Sequence, residues 1–219
     1  MLWECGERLR PVFPCGGEAL DALKRRDKRL GRVIGRLGAI RRGVEPDLFT
    51  ALVDSVIAQQ ISGRAAQTIS DRLHGLVGNF TPQSLAELIP HRSSSVASAS
   101  VRWGIFRVSP ARPLPVLWIW RPAPCPDEEL IRKLSALNGI GVWTAEMLMI
   151  FSLCRPDVLS WGDLGIRRGM ALLYGDRELT RERFERRRKR YSPYGSVASL
   201  YLWSLAGMEE ALAVRLPRA

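Results

Sequence analysis

The stretch Leu137-Asn138-Gly139-Ile140-Gly141-Val142-Trp143-Thr144-Ala145 constrains this chain more than any other. Two glycines one residue apart, directly ahead of an apolar helical run, demand a tight turn between two helices. Such a turn exposes backbone N–H groups at the start of the second helix, where a phosphate can be held. Further on, Trp161-Gly162-Asp163-Leu164-Gly165-Ile166-Arg167-Arg168 sets one carboxylate at the start of another helix, beside basic residues. The first segment offers binding and the second offers chemistry.

The surrounding pattern is helical. A basic amphipathic helix is expected over 18–30, with Leu20, Leu23 and Leu30 among Lys24, Arg25, Arg26, Lys28 and Arg29. A second follows Asp47, which can cap its first turn. Its Phe49, Leu52, Val53, Val56 and Ile57 fall at the i, i+3, i+4, i+7, i+8 spacing of a buried helix face. It ends at 59–63. A third is expected to turn Ala65, Ala66, Ile69, Leu73 and Leu76 inward, with Gly78 past its end. From Asp127 the signal resumes: Asp127, Glu128 and Glu129 suit a first turn, and Leu130, Ile131, Leu134 and Leu137 face inward. Trp143 to Cys154 reads as an apolar, central helix, followed by helices over 164–174, 181–190 and 195–205. Strand-period alternation is almost absent, so the expected fold class is all-α.

With 219 residues the chain can bury a sizeable core. Its 33 Lys+Arg against 22 Asp+Glu give a net charge of +11, which suggests a polyanion partner, nucleic acid first. Cys5, Cys15, Cys125 and Cys154 form no C-x-x-C pair, so reduced thiols are expected and no side-chain metal site. No apolar run is long enough to span a bilayer and no signal peptide is visible, so the expected location is cytoplasmic, with no membrane partner.

Residues 91–126 do not fit. They hold no Asp, Glu or Lys, but six prolines, five arginines and three tryptophans. The prolines forbid a continuous helix. Without these five arginines the balance is 28 against 22, or +6, so much of the basicity lies here. A GC-rich gene read out of frame between two compensating shifts would produce this composition, and a divergent loop is the alternative.

Four motifs occur in order: Gln59-Gln60-Ile61-Ser62, the Leu137–Ala145 hairpin, Asp163-Leu-Gly-Ile-Arg-Arg, and Pro193-Tyr194-Gly195-Ser196-Val197-Ala198 with Tyr201-Leu202-Trp203. Together they resemble the helix-hairpin-helix glycosylase superfamily, specifically its DNA-3-methyladenine glycosylase II branch. The likeness covers residues 18–90 and 127–206. It implies two helical subdomains with a cleft between them. Residues 1–45 plus 151–219 would form a discontinuous subdomain, and 46–150 a helical-barrel subdomain holding the hairpin.

The resemblance also implies roles. Asp163 would be catalytic, stabilising positive charge at the sugar C1′ and orienting water; the plainer reading is a helix N-cap. Asp157 is a weaker rival in the preceding loop. Trp143 occupies the place of the lysine nucleophile of backbone-cutting relatives, which implies a monofunctional enzyme that leaves an abasic site. Trp143, Met147 and Trp203 would line the base pocket, Met147 standing where some members carry tyrosine. A cationic alkylated purine gains from a tryptophan face; plain core packing is the alternative for both tryptophans. Gly139, Gly141 and Thr144 would hold a DNA phosphate, with a monovalent cation on the hairpin backbone; an ordinary packing corner is the alternative. Gln60 would fill the gap left by a flipped nucleotide, or simply end a helix, and Ser62 would contact DNA. Members usually carry arginine where Gly195 stands. The basic run over 181–190 could face phosphates, though a solvated helix face suits it better. The implied function is base excision of 3-methyladenine-type purines from double-stranded DNA, by a monomer. The rivals are a catalytically impaired helix-hairpin-helix DNA-binding protein and a glycosylase for another lesion.

Overall fold

The computed structural model describes residues 11–58, 63–78, 81, 84, 125–137 and 139–215. Gln60, Ser62 and all of the 91–126 segment except Cys125 and Pro126 lie outside the described residues. Among the described residues there are nine helices: α1 Gly17–Arg26, α2 Lys28–Leu37, α3 Leu48–Ile57, α4 Gly63–Val77, α5 Asp127–Ser135, α6 Val142–Phe151, α7 Leu164–Tyr174, α8 Arg181–Tyr191 and α9 Gly195–Arg215. The only β pairing among them is an isolated bridge between Val12 and Gly43. The fold class is all-α. The chain divides into two compact units, one spanning Glu45–Ser152 and the other joining Pro11–Val44 to the chain from Leu153 onward.

The first unit holds α3 to α6. Asp47 caps α3, accepting the Thr50 amide at 2.6 Å, and the whole expected apolar face of α3 is buried. α4 is turned differently from expectation. Ala66, Ser70 and Leu73 are its buried positions, whereas Leu76 is 61% exposed and Ala65 is exposed. The reason is a polar pair within the packed face: the Ser70 hydroxyl donates to Asp54 Oδ1 at 2.6 Å, both residues being buried. A search for apolar spacing overlooks a serine in that row. α6 is the apolar helix foreseen, but it stops at Phe151; Ser152 ends it and Cys154 takes a left-handed φ of 50°.

The second unit holds α1, α2, α7, α8 and α9. The single helix expected over 18–30 is two helices broken at Asp27. That residue is extended, and its Oδ1 accepts the Arg29 and Leu30 amides at 3.0 Å, so it starts α2 rather than continuing α1. Asp27 is buried, and its Oδ2 accepts the Tyr174 hydroxyl, which is 2.9 Å from that of the fully buried Tyr191. Arg190 lies 3.6 Å from the same carboxylate. Burial, with the Asp27 bond, pushes the Tyr174 phenol up to about 12. This network ties the start of α2 to the ends of α7 and α8. The closest packing is between α7 and α9: a β-carbon on Gly169 would lie 2.0 Å from the Leu202 carbonyl oxygen.

The basic run of α8 is largely paired with acids. Arg181 and Arg188 meet Glu185, Arg186 meets Glu182, Arg183 and Arg187 meet Asp176, and Arg190 meets Asp27. Such pairing is what a solvated helix face with local ion pairs shows.

Candidate functional site

The hairpin joins α5 to α6. The Leu137 amide donates to Leu134 C=O and the Ile140 amide to Leu137 C=O, both at 3.1 Å, so the chain reverses tightly. Gly139 carries a φ of +81°, a region side chains resist. Ile140, only 4% exposed, anchors the turn in the core, while Gly139, Gly141, Val142 and Trp143 are exposed.

Gly141 is the N-cap of α6 and has no side chain to bond the helix's leading amides. The first bond of that helix runs from the Ala145 amide to Gly141 C=O at 3.0 Å. The Val142 and Thr144 amides lie ahead of it, with no intrahelical carbonyl to receive them. A β-carbon on Gly141 would meet nothing within 4 Å. Thr144 is only 6% exposed, so its side chain is withdrawn from any ligand and only its amide suits the expected contact. Trp143 is 48% exposed, so core packing does not explain it. Met147 is half-buried.

In the other unit, Asp163 is the N-cap of α7 and is 7% exposed. Its Oδ1 accepts two donors: the Ile166 amide at 2.8 Å and the Trp203 indole Nε1–H, also at 2.8 Å. Asp163 therefore does cap α7, the plainer of the two expected roles. Trp203, expected in the base pocket, is brought to the carboxylate by α9. The turn before Asp163 is braced by Trp161, which packs edge-on against Phe184 with ring centroids 5.1 Å apart. The guanidinium groups of Arg167 and Arg181 lie 5.1 Å and 5.3 Å from the Trp161 ring centre.

Asp157 has a different setting. Its Oδ2 accepts the Ser192 hydroxyl at 2.5 Å and its Oδ1 the Gly195 amide at 3.0 Å. Both oxygens hold the start of α9, where Ser196 also spans the gap by accepting the Val158 amide. A β-carbon on Gly195 would approach Asp157 Oδ1 to 2.7 Å, which explains a glycine there.

Gly165 was not singled out by sequence reasoning. A β-carbon at this position would lie 2.8 Å from Trp203 Cδ1 and 3.2 Å from both Trp203 Nε1 and Asp163 Oδ1. Only the glycine spacing Gly165…Gly169, one helical turn apart on α7, signals it in the sequence.

No family model matches the chain. It is 31% identical over 201 residues to the DNA-3-methyladenine glycosylase of Saccharomyces cerevisiae, spanning 73% of this chain and 67% of that protein. Its fold resembles the crystal structure of DNA-3-methyladenine glycosidase from Bacillus halodurans, with a TM-score of 0.74, 34% identity, and 92% and 94% of the two chains covered. It also resembles the Schizosaccharomyces pombe 3-methyladenine DNA glycosylase solved in complex with abasic DNA, with a TM-score of 0.62, 26% identity, and 85% and 95% covered.

Proposed function

The chain belongs to the DNA-3-methyladenine glycosylase family of helix-hairpin-helix proteins, and we propose that Asp163 is the carboxylate with which it excises alkylated purines from DNA. The enzyme is a hydrolytic DNA glycosylase of base excision repair. The observation that carries the assignment is the setting of Asp163: a buried carboxylate at a helix start, its Oδ1 fixed by two N–H donors.

The chemistry follows from that setting. As the N-glycosidic bond lengthens, the base leaves with the bonding electrons and positive charge develops at C1′. A fixed carboxylate nearby stabilises that charge without reorganising. Water then adds its oxygen to C1′ and gives up a proton, leaving an abasic sugar. An alkylated purine is already cationic and leaves readily, so no strong general acid is needed. Trp143 has no amine with which to attack C1′, so no Schiff base forms and the backbone stays intact.

The hairpin is the anchor. The Val142 and Thr144 amides and the positive end of α6 suit a DNA phosphate, a contact that positions the duplex without reading sequence. Backbone oxygens of the turn are the donors a monovalent cation would take there, neutralising part of that phosphate's charge. Among the described residues no His, Cys, Asp or Glu cluster competes for a metal. Trp143 and Met147 are assigned to the wall that receives the flipped base, whose unstacking costs a few kcal/mol. Gln60 is assigned to the gap it leaves, and Ser62 to DNA contact. The protein binds DNA; a damaged base in a duplex as target, action as a monomer and a cytoplasmic, nucleoid-associated location are parts of the proposal. No helix among the described residues is long and apolar enough to cross a membrane.

Duplexes carrying one methylated or one deaminated purine, incubated with the protein and cleaved by alkali, test this reading. Strand breaks only on methylated purines, with no borohydride-trapped adduct, are expected. Binding without excision on every duplex would instead mark an impaired DNA-binding protein. Residues 91–126 bear on that outcome, and we propose that they are an out-of-frame reading. Translating their codons in the two other frames checks it: an acid-containing helical pattern is expected, and its absence rejects the shift.

A further inference from the structure

We propose that Trp203 is a positioning residue for Asp163, acting through its indole N–H, and that Gly165 is the residue that lets it do so. This rests on Asp163 being the reacting carboxylate.

A single capping bond, from the Ile166 amide, fixes the distance of Oδ1 from the start of α7 but leaves the carboxylate plane free to turn. The indole supplies a second donor to the same oxygen, and both bonds are 2.8 Å. Two donors from different directions fix the plane, and so fix where the other oxygen lies. Indole Nε1–H donates only. It therefore holds the carboxylate without giving up or drawing a proton at neutral pH. For a group whose task is to face a developing charge, orientation converts directly into rate.

The indole reaches that place because α7 and α9 pack through glycine. Gly169 admits the Leu202 carbonyl, to which its β-carbon would approach within 2.0 Å. Gly165, one turn earlier, admits the neighbouring Trp203 ring, with 2.8 Å from a β-carbon to Cδ1 and 3.2 Å to Nε1. A methyl group at Gly165 must push the ring, and the ring carries the N–H. Asp163 Oδ1 itself would be 3.2 Å from that methyl, so both ends of the bond would be disturbed. Helix contact, glycine and tryptophan thus act on one oxygen.

Trp203→Phe keeps an aromatic ring, of smaller volume, and removes the donor. Single-turnover excision at saturating enzyme should fall about ten- to a hundredfold, as loss of a bond to a charged group implies. Affinity for a duplex carrying a tetrahydrofuran abasic-site analogue should not change. An unchanged excision rate, or a loss confined to affinity, overturns the proposal and returns Trp203 to a purely pocket role. Gly165→Ala is the second arm. It should slow excision to a similar extent in the natural chain and cost clearly less in a Trp203→Ala background, where the ring no longer blocks the methyl and only its 3.2 Å approach to Asp163 Oδ1 remains. Equal losses in the two backgrounds overturn the link through Trp203. Asp163→Asn, measured alongside, separates the two readings. If Asp163→Asn excises normally, the catalytic assignment fails; if it is inactive while Trp203→Phe is unaffected, only the positioning role fails.

Discussion

At the start of α6 a β-carbon placed on Gly141 would meet nothing within 4 Å, whereas one on Gly165, in the first turn of α7, would lie 2.8 Å from Trp203. Both glycines begin helices that carry the proposed function, yet the protein needs them for opposite reasons. Around Gly165 the protein's own interior leaves no room. Around Gly141 the protein leaves all the room, and its backbone there is extended, at φ −85° and ψ 171°, a conformation any residue adopts. The capping groups differ in the same sense. α7 begins with a buried carboxylate that satisfies one of its leading amides from within. α6 begins with a residue that has no side chain with which to do so. On the proposed reading, one helix start is closed to make a reacting group rigid, and the other is open to receive a charge from outside.

The largest effect that would break this contrast is at Asp163. Asp163→Asn keeps a side-chain oxygen for the Ile166 amide and the same volume, so the fold and DNA affinity should hold. Excision should fall by about 10²–10³, the usual cost of removing one preorganised electrostatic group. Rate and affinity measured on one duplex check this, and near-normal excision would reduce the closed helix start to a plain cap. Next is Gly169→Ala, which forces α7 and α9 apart. Overpacking of this kind costs about 1–3 kcal/mol, read as a lower urea midpoint with DNA affinity per folded molecule intact. Gly139→Ala sharpens the other side. It strains a residue held at φ +81° by about 1–2 kcal/mol. DNA affinity should drop roughly tenfold, while the excision rate at saturating enzyme stays level.

Much of this was legible in the sequence where one residue type has one physical meaning. Apolar spacing located α3, and the Asp163 motif located the start of α7. The doubled glycine located the hairpin. What stayed hidden depends on pairs distant in the chain. Asp27 looks like one more polar residue of a basic helix; only Tyr174 and Tyr191, 147 and 164 positions later, show why it is buried and breaks that helix. Ser70 hides in the apolar row of α4 because its partner Asp54 lies on another helix. Trp203 was legible as an aromatic near the site, but its bond to Asp163 follows from the approach of α9 to α7, which two glycines permit. Gly165 therefore reads as an unremarkable helix glycine until the ring beside it is seen.

The smallest predicted effect is the most discriminating, because its two parts have opposite signs. Serine is a good N-cap, and Gly141→Ser gives α6 a hydroxyl for its leading amides without crowding any neighbour. If the turn were only a packing corner, the substitution would stabilise the fold by a few tenths of a kcal/mol and do nothing else. If the open helix start receives a phosphate, the hydroxyl occupies the amides and the new β-carbon stands where the DNA backbone must approach. Thermal stability should then rise slightly while affinity for duplex DNA falls severalfold. The change at Gly165 should show no such split, because nothing outside the protein ever enters that space. A Gly141→Ser protein that is more stable and binds DNA as tightly as before would mean that the glycine serves the chain itself, and the contrast between the two helix starts would fall.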